Sequence, residues 1–92
     1  MKAPTSTRGE VIAWSQLPHP DDHHLFIVAI ENEKDFIVTY YTANDDDYFW
    51  GTYYPKAGKL GKDYWDLKAK ALKDFTEKVV NNCKSFLNAE VV

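Results

Sequence analysis

Between Leu25 and Tyr54, three short runs of β-branched and aromatic residues leave the chain few ways to fold. The runs are Leu25–Glu31, Asp35–Thr42 and Tyr48–Tyr54, separated by polar loops of a few residues. Loops this short predict three consecutive antiparallel strands, because a parallel crossover needs a dozen or more residues. Upstream, Glu10–Leu17 reads as a further strand, entered through Arg8-Gly9 and closed by Pro18 and Pro20, which have no amide to give to a ladder.

Register follows from the wish for one uncharged face. Pairing Ile30 with Phe36 sets Val28 against Val38 and Phe26 against Tyr40, so all six share a core face. If Thr42 opposes Asp47 across the loop Ala43-Asn44-Asp45-Asp46, that face gains Phe49, Gly51 and Tyr53. The opposite face then holds Leu25, Ile27, Ala29, Ile37, Thr39, Tyr41, Tyr48, Trp50, Thr52 and Tyr54.

Pro55 ends the strands, and the glycine-punctuated stretch 56–62 leads to a helix. Asp63 is the expected N-cap, with Asp66 adding negative charge at the positive end. The helix is expected over Tyr64–Leu87, its apolar stripe running through Trp65, Ala69, Leu72, Phe75, Val79, Cys83 and Phe86. The expected fold is therefore α+β and two-layered. An antiparallel meander of about four strands (β-β-β-β-α) is covered on one face by a single C-terminal amphipathic helix. Residues 1–9 read as a flexible tail, 10–88 as one domain and 89–92 as a frayed end.

Composition sets the remaining bounds. A hydrophobic fraction of 45% in 92 residues supports one core without disulfides, and Cys83 stands alone. Residues 1–61 carry five basic against nine acidic side chains, and residues 62–92 carry six against five. That balance offers no basic face for a nucleic-acid duplex. With no long apolar run and no charged-then-apolar start, a cytoplasmic setting without membrane contact is expected.

Several motifs invite chemistry. His19-Pro20-Asp21-Asp22 resembles the metal-binding signature of the zinc-dependent LmbE-type amidohydrolases. That resemblance implies metal ligation by His19 and Asp22, with Asp21 as base. It covers four residues, lacks the downstream histidine ligand and sits in a chain too short for that family's domain, so the family is not assigned. His19, Asp22 and His24 stand as candidates for a mixed nitrogen and oxygen metal site, which would make the chain a metal-dependent hydrolase. The expected site list otherwise contains no metal, no cofactor and no catalytic residue. Gly58-Lys59-Leu60-Gly61-Lys62 before a helix suggests anion binding, but Lys56 and Asp63 occupy positions where the phosphate-loop pattern needs Gly and Ser or Thr. Asp45-Asp46-Asp47 lacks the spacing of a calcium loop and reads as a solvated turn. Cys83, on the apolar stripe, reads as a small buried filler.

One helix covers one face, so the aromatics of the other face call for a partner. Ile37, Tyr41, Tyr48, Trp50 and Tyr54 are the expected contact residues, tyrosine and tryptophan being enriched in interface hot spots. The expected function is that of a small non-enzymatic interaction module, with a regulatory, inhibitor or immunity-like accessory role. Its partner is a second copy or another protein. The alternatives are the metal-dependent hydrolase and a single-stranded nucleic-acid binder that stacks bases on the sheet.

Overall fold

The computed structural model describes residues 3–17 and 25–91. Four strands, β1 (Glu10–Gln16), β2 (Leu25–Glu31), β3 (Asp35–Thr42) and β4 (Asp47–Pro55), form one antiparallel sheet in the order β1-β2-β3-β4. A single helix, α1 (Lys62–Val91), follows and packs on one face of the sheet, so the fold is the α+β meander that the sequence predicts. No helix among the described residues is long and apolar enough to cross a membrane.

The β2–β3 register differs by one residue from the expectation. Ile30 pairs with Ile37, Val28 with Thr39 and Phe26 with Tyr41, while Glu31 pairs with Phe36. The cause is the turn. The Asn32 side-chain oxygen accepts from the amides of Lys34 and Asp35, both at 2.9 Å, and the Asn32 amide donates to the Asp35 carbonyl. This self-bonded turn centres the loop between Glu33 and Lys34 instead of on Glu33, so each β2 residue pairs one position further along β3. Hydrophobicity cannot oppose it, because Leu25–Ile30 is apolar on both faces and tolerates either register.

Both faces of β2 are accordingly buried. The helix face contains Ala29, Phe36 and Val38 with Ala71 of α1, flanked by Ile12, Ala13, Tyr54, Tyr64, Leu67, Leu72 and Phe75. The other face contains Phe26, Val28, Ile30, Ile37 and Tyr41, flanked by Val11, Trp14, Ala43 and Tyr48.

Helix α1 starts earlier than expected: Gly61 supplies the carbonyl for the Trp65 amide, and Asp63 lies inside the first turn. Its buried stripe is also rotated. Tyr64, Leu67, Ala71 and Phe75 face the sheet, whereas Trp65 is 62% exposed and Ala69 is also exposed. Two contacts select this rotation. The Tyr64 hydroxyl donates to Glu31 Oε2 at 2.6 Å, an oxygen that also pairs with Lys56 at 3.0 Å, and Ala71 is small enough to bury completely. The Cys83 and Phe86 side chains lie outside the described residues.

Residues 3–9, read as a tail, lie over the helix-free face. The Tyr41 hydroxyl is 2.7 Å from the Thr5 carbonyl, Ser6 Oγ meets the Tyr48 hydroxyl, and Thr7 donates to Asp46. Arg8 sits over the Tyr48 ring at 3.9 Å and donates to the Tyr53 hydroxyl. Gly9, with φ 152°, lets this arm turn into β1 against the sheet. A Cβ there would stand 2.5 Å from the Glu31 carbonyl oxygen.

Candidate interaction surface

Strand β4 is an edge of the sheet, and it is interrupted. Thr42 pairs with Asp47, Tyr41 with Tyr48 and Tyr40 with Phe49, but the next regular pair is Val38 with Thr52. Trp50 and Gly51 therefore share the single residue Thr39, which makes a β-bulge. Thr39 is nearly fully buried, and its hydroxyl lies 2.9 Å from the Tyr40 carbonyl and 3.1 Å from the Phe49 carbonyl. The hydroxyl thus supplies a donor where the ladder is broken. A Cβ at Gly51 would be a tight fit, 3.2 Å from Thr39 Oγ1, so a side chain there needs Thr39 to give by a few tenths of an ångström.

The bulge sets Trp50 in the left-handed region, with φ 57°, a conformation that bulky residues rarely adopt. Its indole is 77% exposed and meets Tyr40 at 5.5 Å and Phe49 at 5.4 Å, edge-on in both cases. Tyr40 and Phe49 are themselves stacked, 5.9 Å apart and 8° from parallel, and Asn82 of α1 donates to the Tyr40 hydroxyl at 2.7 Å. Trp50 thus has a rigid base and an open outer surface. Tyr53, 51% exposed, follows on the same strand.

The five expected contact residues do not share one surface. Ile37 and Tyr41 are 3% and 2% exposed and Tyr48 is half-buried, all on the helix-free face, where the arm bonds to Tyr41 and Tyr48. Tyr54 is on the helix face, donating to Asp74 at 2.8 Å. Trp50 alone of the five is exposed. The bulge separates them, because it shifts the alternation of β4 by one between Phe49 and Thr52.

Electrostatics reinforce the internal role of the buried tyrosines. Burial first, then the Asp46 carboxylate, pushes the Tyr41 hydroxyl up to about 12. Burial and Asp74 do the same for Tyr54, also to about 12. Hydrogen bonds from Thr7 and Tyr41 hold Asp46 below the ordinary carboxylate value. Of the three consecutive aspartates, Asp46 is therefore engaged within the molecule, while Asp45 and Asp47 face solvent as exposed residues.

The other motifs contribute no assembled chemistry. His19, Asp21, Asp22, His23 and His24 lie outside the described residues, and among the described ones no three metal-ligating side chains come together. The loop 56–61 leads to α1 through positive-φ Gly58 and Gly61, and Lys62 bridges to Asp66 at 2.6 Å. A depression of about 240 Å³ is lined by Tyr54, Lys70, Lys73, Asp74 and Glu77, below the usual size of a ligand pocket. There Asp74 is already bonded to Tyr54 and to Lys78, both at 2.8 Å.

Sequence reasoning missed the bulge and the buried hydroxyl of Thr39. A signal existed: an isolated glycine within a strand pattern marks a bulge, and Gly51 is one. Comparison with protein-family models, with curated proteins and with solved structures finds no match.

Proposed function

We propose that this protein is a small non-enzymatic interaction module whose contact surface is the β4 edge, with Trp50 as its anchor. The observation that carries this reading is the exposed indole held in a left-handed conformation on the Tyr40–Phe49 stack. A bulge that re-aims a side chain, and backbone strain kept at an exposed position, are features found at binding sites. Tryptophan is the side chain most enriched in interface hot spots, and an open edge adds main-chain donors and acceptors to its apolar area. A regulatory, inhibitory or immunity-like accessory role is consistent with such a module.

The helix-free face is not the proposed surface, because the arm and β1 already pack against it. Trp50→Ala is the test. It is expected to keep the circular dichroism spectrum and to abolish association, whether with itself or with a partner. Unchanged association in a folded Trp50→Ala protein would refute the reading.

A further inference from the structure

We infer that the β4 bulge steps one residue along the strand, carrying Trp50 from the open edge onto the helix-free face, and that Arg8 of the arm locks it in the outward position. The device belongs to this chain alone and stands whether or not Trp50 anchors a partner.

The strain at the bulge falls on an unsuitable residue. Of the two residues that share Thr39, Trp50 takes the left-handed conformation, with φ 57°. Gly51 is the residue of β4 for which that conformation carries no steric cost, yet its φ is not positive. Moving the bulge by one hands the position to Gly51. Trp50 then pairs with Thr39, and Gly51 and Thr52 together face Val38. The pairs Tyr41–Tyr48, Tyr40–Phe49, Val38–Thr52 and Ile37–Tyr53 all survive, so the step changes the places of Trp50 and Gly51 alone.

Alternation fixes where the indole goes. Tyr48 and Tyr53 pair with Tyr41 and Ile37 of the helix-free cluster, and a residue paired with Thr39 lies between them on that face. Gly51 now takes this place and leaves it without a side chain. Entry of Trp50 needs room. A Cβ at the present Gly51 would stand 3.2 Å from Thr39 Oγ1 and 3.6 Å from Tyr53 Cε1, so Thr39 and Tyr53 must give way.

Arg8 opposes that movement. Its guanidinium lies 3.9 Å from the centre of the Tyr48 ring and donates to the Tyr53 hydroxyl at 3.0 Å, tying together the two tyrosines that must part. Arg8 is itself held: its amide donates to Ser6 Oγ, and its carbonyl accepts from Asn32 Nδ2, both at 3.0 Å. The Thr39 hydroxyl, 2.9 Å from the Tyr40 carbonyl and 3.1 Å from the Phe49 carbonyl, is a second restraint. The edge-on contacts of Trp50 with Tyr40 and Phe49 are a third. The outward state is therefore dominant and the inward one minor. Arm and indole are coupled: lifting the arm draws the exposed tryptophan in.

Nuclear magnetic relaxation dispersion on the full chain tests both parts, read at the Cα carbons and at fluorine-labelled tryptophan. Loss of a signal in Trp50→Phe assigns Trp50. The expected minor state has a Trp50 Cα shift typical of extended strand and a Gly51 Cα shift typical of left-handed backbone. Arg8→Ala, a change at an exposed residue, is expected to raise its population about tenfold and to shield the Trp50 fluorine from solvent in it. Thr39→Val is expected to act in the same direction. Exchange confined to the indole, with both Cα shifts unmoved, is ring rotation and overturns the step. Absence of exchange in the wild type and both variants overturns it too. A minor population that rises in Thr39→Val but ignores Arg8→Ala keeps the step and overturns the lock.

Discussion

Trp50 and Ile37 are opposites that composition alone would group together. Ile37 is 3% exposed, so Ile37→Asp buries an unpaired charge and is expected to cost more than about 3 kcal/mol, unfolding the domain in mild denaturant. Trp50→Asp, at a position 77% exposed, is expected to leave the urea midpoint nearly unchanged. The backbone at residue 50 makes a sharper prediction. An alanine with φ near 57° carries left-handed strain that glycine escapes, so Trp50→Gly should be more stable than Trp50→Ala by about 1 kcal/mol. That order reverses the usual one for a strand, and paired urea titrations would reveal it. The tyrosines set an alkaline limit. Tyr41 and Tyr54 titrate at about 12 in the fold against 10.0 unperturbed, so the folded state holds their protons more tightly. Their stabilisation is complete below pH 10.0 and is lost as pH rises toward about 12. The denaturation midpoint should fall across that window, and Tyr41→Phe with Tyr54→Phe should make the fall shallower.

At the scale of elements, two local devices override the hydrophobic pattern. The Asn32 turn fixes the β2–β3 register, and the bulge opposite Thr39 reverses the faces of β4 between Phe49 and Thr52. The strands, their order and the covering helix were legible, because run lengths, loop lengths and a 3.6-residue period carry that information. The assignment of faces was not. Leu25–Ile30 is apolar at every position, so nothing in its pattern distinguishes one register from the next. Of the expected contact residues, Trp50 was legible as an exposed anchor. Tyr54 was misplaced by the unseen bulge, Tyr41 by an arm whose polar composition conceals its hydrogen bonds, and Ile37 by the second buried cluster that it forms with Phe26, Val28 and Ile30. That arm is expected to be structural. Deleting residues 1–8 removes the Thr5, Ser6, Thr7 and Arg8 contacts to Tyr41, Tyr48, Asp46 and Tyr53, and should lower stability by about 2–4 kcal/mol. Thermal denaturation of the truncated chain checks this, and an unchanged midpoint would mean the arm merely rests on the sheet.

For the whole molecule, the outcome is a sheet with both faces occupied and its β4 edge open. Helix α1 covers the β2–β3 centre from one side, and the arm, Val11 and Trp14 close the other. The recognition surface proposed above is accordingly the edge, where Trp50 stands on Tyr40 and Phe49. Hydrogen–deuterium exchange of the full chain at low and high concentration tests that most directly, because edge amides exchange freely until something pairs with them. Where the partner is a second copy, protection is expected to rise with concentration across Asp47–Tyr54 and to stay constant in β1. Exchange in β4 that is the same at every concentration, or protection that grows instead along β1, would contradict self-association through the β4 edge.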